Sequence, residues 1–321
     1  MSLSKFIRLQ AHLQLMPLLE SGEEPTLVGG QAVLEGVMMR APHSYAITVR
    51  KSNGELVTDQ QAIPRMSEKY PLFKYPVLRG LGTLGQAMQL GFKAMNFSMN
   101  TLLEETEPGA AKAKPTPAWL NIFNIAFPVL FFIFMYKFVP LYLAEQIGTS
   151  RFSINIWDGV IRLAIFLAFM FGISLVKDIR RVFEYHGAEH KVVFNFESGK
   201  PVTVENAQSF VTFHPRCGTS FMLVMMVIAM IIYAFLPFDG FLLKLASRIV
   251  LLPLIIGLSY ELIRFAARRQ GTLMGLLTAP GLWLQRITTK QPDDAQAEVA
   301  IHALQHAMAL EEKQGGELVI A

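Results

Sequence analysis

Two short stretches concentrate the side chains that could do chemistry. In "FEYHGAEHKVV", residues 183 to 193, His186 and His190 stand four apart with Glu189 between them. On a helix that spacing puts both imidazoles on one face, one turn apart. The pattern H-x-x-E-H is the inverse of a zinc motif in which two imidazoles hold the metal and the glutamate activates a water. Such a site needs a third ligand, and "FHPRCGTSF" offers two, His214 and Cys217, three apart. Imidazole nitrogen and thiolate sulfur are ligands that zinc favours, so zinc or another divalent transition metal is the expected cofactor. Three protein groups plus a water make an open, catalytic-type site with Glu189 as general base. Four groups without water make a closed, structural one, and the spacing allows both. In the blander reading the histidines are interfacial polar residues and "HPRCG" is a turn with a buried thiol. Gly187, inside the motif, weakens a helix by about 1 kcal/mol relative to alanine.

The elements that must carry these residues are set by an apolar composition. Of 321 residues 52% are hydrophobic and only 17% charged, and the mean hydropathy is positive. This is too apolar for an ordinary soluble enzyme and too charged for a bare bundle of spans, which points to an α-helical multi-pass membrane protein with soluble parts. The formal charge of +4 is modest and the basic residues sit beside apolar segments. Nucleic acid is therefore not an expected partner; the lipid bilayer and its anionic headgroups are. Cys217 is the single cysteine, which excludes an intramolecular disulfide framework and suits a reducing compartment. The first 25 residues have an apolar pattern broken by Arg8, Gln10, His12 and Gln14 and lack a small-residue cleavage site, so no removable signal peptide is expected.

About four transmembrane helices are expected within residues 118–268. "AWLNIFNIAFPVLFFIFMY" and "CGTSFMLVMMVIAMIIYAFLPF" lack charge over close to the ~20 residues that cross a hydrocarbon core. "IRLAIFLAFMFGISLVK" and "RIVLLPLIIGLSYELIRF" need Arg162, Arg248 and Arg264 to snorkel toward the interfaces. If the second span continues as helix past Val176, its exit carries His186 and His190, and Cys217 opens the third span. Both clusters then emerge at one membrane face. Lysine and arginine accumulate in the 177–219 loop and after the last span. The positive-inside rule accordingly puts both termini and that loop in the cytoplasm.

Outside the spans, residues 1–74 form an N-terminal cytoplasmic portion. There "SYAITVRKSNGELVTD" alternates on both sides of Asn53-Gly54, a pair suited to the positive φ angles of a tight hairpin turn. "VGGQAVLEGVMMRAP" reads as a turn followed by a short apolar segment. Residues 75–103 carry Gly80, Gly82, Gly85 and Gly91 near helical spacing, as in a helix that approaches a neighbour closely or lies at the interface. Residues 104–117 read as a flexible linker. Within 269–321, Pro280-Gly281 interrupts an apolar stretch that suits a re-entrant or interfacial segment, and a capped, amphipathic surface helix closes the chain. Secondary candidates are Glu261, expected to pair with Arg264; Glu35, Arg40 and His43, which could fold onto the site; and His302 with His306, expected on a solvated helix face.

With these residues in view, the chain resembles the YqhQ family of bacterial membrane proteins. The resemblance rests on "GGQAVLEGVMMR", "EYHGAEHK", "HPRCGTSF", "SYELIRFAAR" and "APGLWLQRITTKQPDDAQAEVAI", in that order. It implies a metal-dependent enzyme of the bacterial inner membrane without naming a reaction. Two functional expectations follow. One is a zinc-dependent hydrolase acting on membrane peptides or lipids at the cytoplasmic face. The other is a non-catalytic accessory or scaffold factor that meets other membrane proteins or their biogenesis machinery, with a structural metal or polar cluster.

Overall fold

The computed structural model describes residues 28–106, 118–214, 217–268 and 272–313. The signal-peptide expectation for the first 25 residues lies outside the described residues, as do most of the linker and the Pro215-Arg216 pair.

A four-stranded antiparallel meander comes first, in the order β1 (Gly29–Val33), β2 (Gly36–Arg40), β3 (Ser44–Arg50) and β4 (Leu56–Ala62). The expected hairpin is β3–β4. Its connection runs over residues 51–55, with Arg50 opposite Leu56. Gly54 alone takes a left-handed conformation, φ 87°, and its N–H donates to Lys51 O. The segment read as a turn plus an apolar stretch is instead the β1–β2 hairpin, with Val33 opposite Gly36. Its two-residue turn has Glu35 at φ 51°, a conformation a non-glycine residue seldom takes.

Both faces of the sheet are covered. Met38, Tyr45, Ile47 and Val49 point toward Leu90 and Ala94 of α1 (Leu78–Thr106). Val37, Met39 and Ala46 point the other way, the period-two alternation of a pleated strand. They meet a second layer built from two later helices. Three of the four glycines of α1, Gly80, Gly82 and Gly91, do permit close approach: a Cβ on Gly80 would lie 2.6 Å from Tyr260 Cβ.

Apolar helices follow. Two are long and apolar enough to cross a membrane, Ala126–Ile147 and Arg151–Ser174, and a pair bent by 47°, Phe241–Val250 with Leu252–Phe265, makes a third if it counts as one span. We label the second of these α2 (Arg151–Ser174). Gly218–Ala234, α4 below, is equally apolar but short; its 17 residues reach roughly 25 Å against a hydrocarbon core of about 30 Å. Large side chains such as Phe127, Leu130, Phe169 and Ile231 are exposed on these helices, as lipid-facing residues would be. Two of the expected snorkelling arginines do not reach outward. Arg162 and Arg248 are buried and both bond Asp158, at 2.7 and 3.0 Å. The shared carboxylate compensates both buried guanidinium charges, which would otherwise be left unpaired away from water.

The expected continuation of the second span does not occur. Val176, with ψ 128°, breaks the helix, and a new one, α3 (Lys177–Glu197), begins at Lys177. It lies beside the sheet, with Tyr185, Ala188, Val192 and Val193 in the core under β2. The chain enters the apolar region again through α4 (Gly218–Ala234). The stretch around Pro280 is a helix, α5 (Thr272–Thr288), tight enough against α4 that a Cβ on Gly281 would lie 2.4 Å from Ser220 Oγ. The terminal helix, α6 (Asp294–Lys313), is amphipathic. Ala297, Val299, Ala300, Ala303, Leu304 and Ala307 bury one side of it in the core shared with the sheet, while Ala295, Glu298, Gln305 and Glu312 are exposed on the other.

Candidate metal centre

α3 brings His186, Glu189 and His190 to the face that looks toward the start of α4, where Cys217 is the residue before the first turn. The metal-binding atoms of His186, His190 and Cys217 all lie within 4.8 Å of one another. Cys217 Sγ is 3.3 Å from His186 Nε2, and the His186 and His190 rings are 4.4 Å apart between centroids. These three residues line one cavity of about 130 Å³ together with Glu189, His214 and Gly30.

Hydrogen bonds to the backbone set the imidazole orientation. His186 Nδ1 lies 2.8 Å from Thr288 O and His190 Nδ1 2.5 Å from Thr212 O. A carbonyl only accepts, so each Nδ1 carries the proton and donates, which leaves each Nε2 as a lone-pair donor toward the cavity. Locking the distal ring nitrogen in this way is the arrangement found around metal-bound histidines. Burial pushes His190 down to about 4, with the neighbouring His186 adding to the effect; burial likewise lowers His214 to about 4. Both are neutral at physiological pH, the form that binds a metal. The donor set of two nitrogens and one sulfur is of the kind zinc takes, and its three atoms lie close enough together to share one ion.

Glu189 is buried and its Oε2 is 3.4 Å from His190 Nε2. His214, expected as a ligand, stands at the cavity edge. Its Nε2 faces Glu197 at 3.5 Å and its ring packs against Phe194, 4.5 Å between centroids. Its backbone is clamped from both sides by the buried amide of Gln285: His214 N donates to Gln285 Oε1 at 2.7 Å, and Gln285 Nε2 donates to His214 O at 2.8 Å. The structure thus groups His186, His190 and Cys217 and sets His214 apart from that triple.

Gly187 has a positive reason to be in the motif. A Cβ there would fall 1.9 Å from Lys290 O, because the chain leaving α5 crosses α3 at that point. Lys290 N donates to Phe183 O in the same crossing. Gly30 does the equivalent on the other side, where a Cβ would sit 2.6 Å from Glu189 Cγ. Sequence reasoning missed Gly30, Thr212, Gln285 and Thr288. The glycine pair in "VGGQAV" was the only available signal among them.

The secondary candidates lie elsewhere. Glu35 accepts from Arg181 and from Tyr185. Arg40 bonds Gln86, and His43 lies between Glu68 and Glu311. Glu261 pairs through both oxygens with Arg79 of α1 rather than with Arg264. His302 meets Thr48 and Thr58, and His306 meets Gln60.

The family described as "Protein of unknown function (DUF1385)" matches residues 75–310, which include every residue of the cavity except those of β1 and Val28. The protein described as "Uncharacterized protein YqhQ" from Bacillus subtilis (strain 168) is 35% identical over 303 residues, 89% of this chain and 94% of that relative. The chain belongs to the YqhQ family. No solved structure matches it. For this YqhQ-family chain the functional argument therefore rests on the geometry of its own pocket.

Proposed function

We propose that the pocket holds zinc or another divalent transition metal on His186, His190 and Cys217, and that the protein is a membrane hydrolase working at the cytoplasmic face. The observation that carries this reading is the paired tautomer lock: two imidazoles with Nδ1–H fixed on the Thr288 and Thr212 carbonyls, beside a thiol 3.3 Å from His186 Nε2 and grouped with His190. Bound there, a metal would supply Lewis-acid polarisation of water and of a substrate carbonyl. Glu189 holds the carboxylate that takes the proton from the attacking water and returns it to the leaving group. The position of His214 beside Glu197 supports an open site with three protein ligands. Four crossings, with both termini and the 177–219 loop in the cytoplasm of a bacterial inner membrane, complete the proposal. The excess of lysine and arginine in that loop and after the last span supports this orientation.

Metal analysis of the purified full-length protein tests it. We expect roughly one equivalent of transition metal, lost in His186→Ala and Cys217→Ser and kept in Glu189→Gln. A content below about a tenth of an equivalent, unchanged by His186→Ala, ends the proposal. A second reading, a non-catalytic accessory factor with a structural metal, draws on how many elements the pocket joins, since α3, α4, α5 and the 212–214 connection all meet there. Full cellular function in Glu189→Gln, with loss of the protein in His186→Ala, would favour that version.

A further inference from the structure

Among the described residues, the strand that walls the cavity has one edge without a strand partner: β1 is the first strand of the meander and pairs there with β2 alone. Two bonds fix which of its backbone groups face outward. Ala41 N donates to Ser44 O, and Arg50 N donates to Glu35 O. Alternation in an antiparallel ladder then assigns Val37 and Met39 to bonding with β3. Gly36, Met38 and Arg40 are left for Val33, Gln31 and Gly29, which stand opposite them in the register. Gly30 and Ala32 consequently turn N–H and C=O away from the sheet. No hydrogen bond to these groups is found among the described residues. Gly30 lines the same cavity as His186, Glu189 and His190, and its lack of a side chain lets the Glu189 side chain lie against its backbone.

We infer that the substrate is an extended polypeptide that adds to β1 as a further strand, its backbone paired with Gly30 and Ala32. This rests on the hydrolase reading and chooses peptide over lipid. An acyl lipid has no alternating amide donors and acceptors with which to satisfy this edge, whereas a peptide strand has them at the same period. The reaction is hydrolysis: water oxygen bonds to the scissile carbonyl carbon, the C–N bond breaks, and the proton removed from water by Glu189 goes to the departing amine. The products are a carboxylate and an amine, and no oxidant or further reactant is consumed.

The test uses full-length, metal-loaded protein in detergent with a pool of internally quenched octapeptides, and phosphatidylglycerol vesicles as the lipid arm. We expect peptide cleavage that Glu189→Gln abolishes. In a cleaved octapeptide, N-methylation should cut kcat/KM about ten-fold or more at alternate positions and little at those between, because only every second N–H faces β1. Ala32→Pro, which removes an outward N–H without touching the ladder, should raise KM while retaining the metal. Loss spread evenly along the N-methyl series overturns the inference. So does a metal-loaded protein that cleaves no peptide, whether or not it cleaves the lipid; in that case the metal site itself still stands. Protein without His186-dependent metal removes the hydrolase reading and this inference with it.

Discussion

Gly187→Ala separates what this site requires from what a helix prefers. Helix propensity alone makes the change stabilising by about 1 kcal/mol. The new Cβ, however, would lie 1.9 Å from Lys290 O and 3.1 Å from the carbonyl carbon, and a backbone carbonyl cannot swing away alone. The 288–290 segment must lift off α3, breaking the Lys290 N to Phe183 O bond and the His186 Nδ1 to Thr288 O bond. Those are worth about 1 kcal/mol each, and overpacking adds about 1–3 kcal/mol. Net destabilisation of about 2–4 kcal/mol remains after the propensity gain is subtracted. Releasing His186 from Thr288 should also lower metal affinity about 10–100-fold. The assay is thermal unfolding of the detergent-solubilised protein with and without added zinc. Gly85→Ala is the internal control: that helical position is exposed and a Cβ there meets nothing within 4 Å, so it should gain about 1 kcal/mol. A Gly187→Ala protein as stable as the parent, or more so, would refute the crossing geometry and the orientation it imposes on His186.

Asp158→Asn should destabilise the apolar helices by about 3–5 kcal/mol, because it leaves Arg162 and Arg248 buried without their shared carboxylate; a loss under about 1 kcal/mol in thermal unfolding would contradict that pairing. His43 carries a pH dependence. Burial opposes its protonation, but hydrogen bonds to Glu68 and Glu311 outweigh that and raise its pKa. Its contribution is thus complete below the ordinary imidazole value of about 6.5 and is lost as pH rises through the raised folded value. The gap in melting temperature between the parent and His43→Gln should narrow from about pH 6 to about pH 9, and a gap that widens would reverse the assignment. If the pocket holds a metal, removing it with a chelator should free Cys217 from α3 and make the 199–213 connection more open to protease; an unchanged digestion pattern would mean that the His190 bond to Thr212 O and the Gln285 clamp on His214 suffice.

The parts of this molecule legible in its sequence are those written in local pattern. Alternation around Asn53-Gly54 marked the β3–β4 hairpin, helical spacing with glycines marked α1, and uncharged runs marked the apolar helices. The residues of the candidate site were legible because their chemistry is uncommon and the spacing of the two histidines fits one helical turn. Most of what surrounds them depends on contacts between distant segments, which local pattern does not carry. β2 escaped notice because it is buried on both faces and shows no alternation, and its turn uses Glu35, whose strain is held by Arg181 and Tyr185 from 146 and 150 residues away. α6 was legible as an amphipathic helix, but its alanines, neutral as pattern residues, did not show how closely its buried side packs on the sheet.

The same reasoning explains why the site's two glycines carried opposite apparent meanings. Gly187 counted against a helix, and Gly30 suggested a loop; each is a contact point where a Cβ would fall within 3 Å of another part of the site. A helix that only had to present two histidines would be better served by alanine at 187. Glycine there is required by the crossing of the 288–290 segment, and that same crossing brings Thr288 O to His186 Nδ1. A purely interfacial histidine pair places no such demand on its tautomer, whereas a pair of metal ligands does. The glycine that weakens the motif as a helix is therefore an argument for the motif as a metal site.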